Sequence, residues 1–319
     1  MSISFTDVRQ AIEQRPIKIM VEGDPGSGKT TFSLSVLNYL KTKGYKSDEI
    51  MYFFIDMDGQ GAIPLLARGA VPDEYVDAIK YVNIGRDEES TIFENVSEAL
   101  RFALNACKKH ITNHPRETAW IILDNMGAFW TGTMDFFSKQ VYERSLEEQT
   151  LEKRKEAEKT PVNPTTGHKI HQLPTFIQLS DFTVINQYHD SVLWMLRDSG
   201  VNYILTALLK SVTITENTSE GKSVKVTVIK NDGKKTLPVD VNEVIRMSVN
   251  NNNRLASFTK AREMPLLQNI ADMDFSKYMS IIAKYSIIKP KAVEKKPAQI
   301  KKEVMITEGK IETDSLAGL

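Results

Sequence analysis

The amino-acid sequence predicts an α/β protein, with a mostly parallel sheet flanked by helices and extended by antiparallel hairpins toward the C-terminus. Three observations predict it. Apolar runs of strand length alternate with longer segments whose apolar residues recur at helical spacing. Several of those runs are apolar at consecutive positions, as expected for strands covered on both faces. Beyond residue 210 the pattern turns to alternation of period two around polar turns.

The elements follow in order. Ile17-Lys18-Ile19-Met20-Val21 is a β-branched run that stops at Gly23 and reads as the first strand. From Lys29 to about Lys43, Phe32, Val36, Leu37 and Leu40 keep helical spacing. Glu49 to Ile55 is the next strand, and Ala78 to Ile84 a shorter candidate. Ser90 to about His110 is an amphipathic helix with Phe93, Val96, Leu100, Leu104 and Cys107 along one face. Trp120-Ile121-Ile122-Leu123 is a buried strand ending in Asp124. Leu179 to Asp198 is helical, and Val201 to Leu209 is a fifth strand. Lys210 to Lys230 alternates about the polar turn Glu216 to Ser223 and reads as a hairpin. A second hairpin joins Val244–Val249 to Leu255–Thr259 through four asparagines, Asn250 to Asn253.

Two stretches read as additions. Thr131 to Thr175 carries a charged helical part, Glu143 to Lys159, and then three prolines; it is too long for an ordinary connection and reads as an insertion. Lys289 to Leu319 reads as a disordered charged tail, basic up to Lys302 and acidic beyond. The expected organisation is one domain over residues 1–288, with the insertion at 131–175, and the tail at 289–319.

Composition narrows the class. The 319 residues hold 41 Lys plus Arg against 41 Asp plus Glu, so no one-signed charge argues for a nucleic-acid or membrane protein. The single cysteine, Cys107, excludes an intramolecular disulfide and a cysteine-cluster zinc site. No apolar run nears the roughly 18 residues of a membrane helix. Met1 to Asp7 lacks the basic and apolar regions of a signal peptide, and a cytoplasmic location is expected.

Gly23-Asp24-Pro25-Gly26-Ser27-Gly28-Lys29-Thr30 matches G-x-x-x-x-G-K-[ST] in full. Its glycines let successive N–H groups turn inward toward phosphate oxygens, and the following helix adds its positive N-terminus there. Lys29 reaches the β- and γ-phosphates in such a loop, and the Thr30 hydroxyl ligates Mg²⁺. Thr31 completes the candidate nucleotide-binding set. ATP and Mg²⁺ are the expected cofactors. The Mg²⁺ also needs a carboxylate at a strand end, and Asp124 is the natural one. Asn125 and Met126 follow it, so the acid that activates water comes from elsewhere. Phe53-Phe54-Ile55-Asp56-Met57-Asp58-Gly59 offers two aspartates at i and i+2 on one side of a strand end; a solvated turn is the alternative reading.

With these residues in place, the chain resembles the RecA-like P-loop ATPases over about residues 15–265. In that fold the strand after the P-loop helix ends in Asp-x-Glu, whose glutamate activates water. Asp58 stands in the glutamate's place and Asp56 in the aspartate's, one methylene shorter at the base, so either carboxylate is open for the role. Tyr203-Ile204-Leu205-Thr206-Ala207 resembles the strand that carries a polar γ-phosphate sensor, which implies Thr206. Phe258-Thr259-Lys260-Ala261-Arg262 resembles the strand that lends cations to a neighbouring subunit's nucleotide, which implies Lys260 and Arg262, two apart and so on one face. The overall look is similar to the short RecA-like ATPases of phages and archaeal viruses, including single-strand annealing proteins.

The resemblance implies an ATPase that forms a ring or filament and acts on DNA in recombination, annealing or replication. It also implies a virus-encoded protein working inside a host cell. Single-stranded DNA is the favoured partner and no membrane is expected. The matching DNA loops are the 131–175 insertion and Lys210 to Lys235, which has six lysines against three acids. A nucleic-acid translocating or packaging motor, a nucleotide-gated binding module with negligible turnover, and a small-molecule kinase are the competing functions; the kinase lacks an arginine-rich lid.

Overall fold

The computed structural model describes residues 15–285 apart from 58, 60, 85–90, 160–176, 218–222, 252 and 263. Its strands are β1 (Lys18–Gly23), β2 (Met51–Asp56), β3 (Ile79–Asn83), β4 (Ala119–Asp124), β5 (Asn202–Asn217), β6 (Ser223–Asn231), β7 (Glu243–Asn250), β8 (Asn253–Lys260) and β9 (Ile270–Ala271). The helices are α1 (Lys29–Thr42), α2 (Ile63–Ala67), α3 (Asp73–Val76), α4 (Ile92–His110), α5 (Met126–Tyr142), α6 (Leu146–Lys159), α7 (Phe182–Arg197) and α8 (Phe275–Tyr285).

Among the described residues the nine strands form one sheet in the order β3-β2-β4-β5-β1-β7-β8-β9, with β6 paired to β5. From β3 across to β7 every pairing is parallel. β8 and β9 continue the sheet antiparallel, as expected for the C-terminal extension. The C-terminal ends of β1, β2 and β4 therefore open on one edge, where ligands of open α/β sheets bind.

The pleat divides the core in two. Met20, Phe53, Ile55, Ile121, Leu123 and Leu205 pack on one face against Val96 and Leu100 of α4 and Leu193 and Leu196 of α7. Their neighbours Ile19, Val21, Tyr52, Phe54, Ile122 and Ile204 pack on the other against Phe32 and Leu37 of α1 and Phe275 of α8. All six residues of β4 are buried, which explains its unbroken apolar run. α4 begins at a capping box in which the Thr91 hydroxyl accepts from the Glu94 amide and Glu94 reaches back to the Thr91 amide. Lys108, Lys109 and His110 occupy its last turn, where the helix dipole favours positive charge.

Several boundaries differ from the sequence reading. The fifth strand and the first hairpin arm are one strand: β5 pairs parallel with β1 and β4 over its first part, then antiparallel with β6 from Leu209 to Asn217. The start of the expected insertion is helix, because α5 begins directly after Asp124 under an Asn125 cap and runs through to Tyr142. α6 covers most of the charged helical part, while residues 160–176 lie outside the described residues. So do the tail from Lys289 and Asp58. α8 and β9 had no reading from the sequence; Phe275 and Tyr278 anchor α8 beside α1, with the Phe275 amide donating to Ser35 Oγ at 2.8 Å.

Candidate functional site

β1 delivers the glycine loop to the edge of the sheet, and α1 leaves it under Gly28, whose φ of 101° is a left-handed conformation that suits glycine. No acidic residue occupies the first turn of α1, so its amide ends keep their positive character. Asp24, Pro25 and Gly26 are exposed at the tip of the loop and Ser27 is buried. Ser27 Oγ has no hydrogen-bond partner among the described residues. Lys29 is buried, its ammonium donating to the Gly23 and Asp24 carbonyls at 3.0 and 2.9 Å.

The next residue connects the loop to the acid. Thr30 Oγ1 donates to Asp124 Oδ2 at 2.8 Å, and Thr206 Oγ1 donates to the other oxygen, Asp124 Oδ1. The strand of Thr206 lies between those of the loop and Asp124, and it pairs Thr206 with Val21 and Leu205 with Leu123. The carboxylate is thus held from both sides, and Asp124 and Thr206 are both buried. Lys29, Thr30, Asp124 and Thr206 are brought into one group. Burial and the Asp124 charge together push the Tyr52 phenol well above its ordinary pKa, and its OH donates to the Ser33 carbonyl beneath α1.

Asp56 sits beside Asp124 as its register partner across the β2–β4 pairing and is fully buried. Its carboxylate accepts from the Gly59 amide at 2.9 Å, the Gly61 amide at 3.4 Å and the Tyr81 hydroxyl at 2.9 Å. Those contacts shape the turn that follows β2.

The two distal cations lie elsewhere. Lys260 pairs with Val244, close to the start of β7 and far along the sheet from Asp124. Its ammonium donates to the Pro238 and Val241 carbonyls, and burial, with the Arg262 charge second, lowers its pKa. Arg262 is exposed just beyond the end of β8, so the two are not successive outward residues of one strand. A cavity of about 500 Å³ there is lined by Lys210, Lys230, Lys235, Arg246 and Lys260 together with Glu22, whose carboxylate pairs with Arg246 at 2.6 Å.

Two residues near the site carry no signal in the sequence. Arg254, at the start of β8, lies over Gly28, its side-chain atoms 3.4 to 3.9 Å from where a Cβ would stand. The Asp232 carboxylate occupies the space a Cβ would need on Gly127, at the root of α5, and accepts from the Leu208 amide at 3.0 Å. Burial raises its pKa. Only long-range pairing brings either residue here, and no local motif marks them.

The donor set has a definite chemistry. The Thr30 hydroxyl and Asp124 carboxylate are hard oxygen ligands that suit Mg²⁺. Among the described residues no group of three or more His, Cys, Asp or Glu could hold a metal. Two protein oxygens are the share a Mg²⁺ takes from the protein when phosphates and waters complete its shell. The unsatisfied Ser27 hydroxyl and the acid-free helix start suit an anion.

No protein-family model and no curated protein matches the chain. Among solved structures it is similar to a KaiC-like protein of the hyperthermophilic archaeon Pyrococcus horikoshii OT3, at 13% identity over 80% of this chain and 83% of that one, with a TM-score of 0.42. A likeness at that level says nothing about the reaction, and the site stands on its own geometry. No helix among the described residues is long and apolar enough to cross a membrane.

Proposed function

We propose that the protein is a RecA-like ATPase that binds ATP with Mg²⁺ in the glycine loop and hydrolyses the terminal phosphoanhydride. The observation that carries this is the meeting of the Thr30 and Thr206 hydroxyls on the two oxygens of Asp124, directly under the loop helix. Loop amides receive the phosphates and the Lys29 ammonium neutralises their charge. Thr30 and Asp124 would hold the Mg²⁺, which would supply charge neutralisation to the phosphates. Thr206, placed between loop strand and acid, turns its hydroxyl toward the terminal phosphate.

For the base, Asp56 already serves two amides and a phenol, so its lone pairs are largely committed. Asp58, two residues on and outside the described residues, takes the role of orienting the attacking water. Arg262, exposed at the end of its strand, supplies the cation to a neighbouring copy's nucleotide more readily than Lys260, whose ammonium two carbonyls hold. The Asp56-Met57-Asp58-Gly59 turn supports a place among the viral single-strand annealing ATPases, working in the host cytoplasm on single-stranded DNA. The lysine-lined cavity near β6 and β7 supports such a polyanionic partner.

The test is ATP turnover by wild type and Lys29→Ala, with and without single-stranded DNA. Turnover that rises with DNA and falls about 100-fold or more in Lys29→Ala is expected. Wild-type turnover at background would leave a nucleotide-gated binding module, and indifference to DNA would remove the recombination role.

A further inference from the structure

The nucleotide-binding reading leaves open where the nucleoside goes, and the loop has two sides. Thr30, Asp124 and Thr206 occupy the side toward β4 and β5, so the phosphates that share the metal lie there. The opposite end of a triphosphate must leave the loop toward β7 and β8. On that side lies a cavity of about 260 Å³ that opens beside Gly28 and the first turn of α1. Thr31, one position past the metal-facing threonine, lines it. So do Met247 from β7, Ala256 from β8 and Met273 from the segment before α8, all three buried. Ser27, with its buried unpartnered hydroxyl, lies at the junction of loop and cavity. Arg254 spans the same junction, over Gly28.

We infer that this cavity, built by the β7–β8 hairpin and the start of α8, is the nucleobase site, with Arg254 on the phosphate nearest the sugar. The inference rests on the nucleotide reading. The volume is below the roughly 300–1,000 Å³ of pockets for drug-sized ligands, which fits a single base rather than a whole nucleotide. Two methionine thioethers and an alanine methyl offer the flat apolar contact that an aromatic ring takes well. Of the lining side chains only Ser27 is both buried and polar, and it faces the loop. Asp272 and Asp274 also line the cavity but are exposed, so no buried polar group fixes the edge of the base and either purine is admitted.

The experiment measures binding of ATP, GTP and inorganic tripolyphosphate to the full chain with Mg²⁺ by calorimetry. Wild type is expected to hold ATP at least about tenfold tighter than tripolyphosphate, the value of one buried base contact, and GTP within about tenfold of ATP. Ala256→Leu, which fills the cavity, removes the preference for ATP and leaves tripolyphosphate binding within about twofold. Arg254→Ala, at an exposed side chain, weakens ATP about tenfold. Equal wild-type affinity for ATP and tripolyphosphate, or a preference that survives Ala256→Leu, overturns the base site while the phosphate site stands. An ATP-over-GTP preference beyond about a hundredfold overturns the apolar contact. Failure to bind any of the three overturns the nucleotide reading and this inference with it.

Discussion

Asp56 and Asp124 are register partners at the ends of adjacent parallel strands, both buried and of the same residue type, yet their surroundings assign them different work. Asp124 is met by two side-chain hydroxyls, from Thr30 and Thr206, each of which can rotate and exchange its acceptor for a metal or a phosphate oxygen. Asp56 is met by the amides of Gly59 and Gly61 and by Tyr81, and backbone amides cannot turn away without moving the chain. Hydroxyl donors leave a buried carboxylate free to change partners, whereas main-chain donors tie it to the shape of a turn.

That contrast can be broken by substitution. Asp124→Asn keeps the shape of the side chain and removes the charge, and ATP turnover is expected to fall about 10²- to 10³-fold with little change in melting temperature. Asp56→Ala should reverse the balance. It leaves two amides and a phenol without an acceptor, so urea unfolding should show a loss of about 2–4 kcal/mol, with turnover affected less than in Asp124→Asn. Equal catalytic losses in the two variants would erase the distinction. Thr206→Val removes one hydroxyl from Asp124 and should lower turnover about tenfold, with ATP affinity nearly unchanged. Tyr81→Phe sharpens the other side: a loss of about 1–2 kcal/mol in unfolding free energy and turnover within about twofold of wild type.

A smaller effect separates both acids from the packing around α7. His189 is fully buried against Phe129 and Trp130, with Asp190 at 3.9 Å, outside hydrogen-bond range. Burial holds its pKa below the ordinary value of about 6.5, and His110 is shifted the same way for the same reason. The unfolded chain therefore takes up protons first as pH falls below about 6.5, and stability drops from there toward the folded-state values. Unfolding free energy followed from pH 7.5 to 5 should show this decline, with a smaller slope in His189→Phe.

Much of this was legible in the sequence, for identifiable reasons. The glycine loop, the run into Asp124 and the strand carrying Thr206 are local patterns, and burial on both faces leaves a continuous apolar signature. The join between β5 and its hairpin is hidden in the sequence because alternation begins where the strand leaves the covered core, a change of environment rather than of element. Lys260 and Arg262 shared a face only if their strand continued, and it stops at Lys260. Arg254 could not be seen at all, since its place over Gly28 depends on β7 and β8 pairing back beside β1. The apolar run before Asp56 marks it as a strand-end acid, but which neighbours take its oxygens depends on the fold of the turn.

The direct passage from Asp124 into α5 has a mechanical consequence. No linker separates acid from helix: Asn125 caps the first turn through the Gly127 and Ala128 amides, and Asp232 is wedged against Gly127. A helix of 17 residues is about 25 Å long. It forms a lever with its fulcrum one residue from the Asp124 carboxylate. A rotation of about 5° at that fulcrum, too small to disturb the sheet, would carry the far end through about 2 Å.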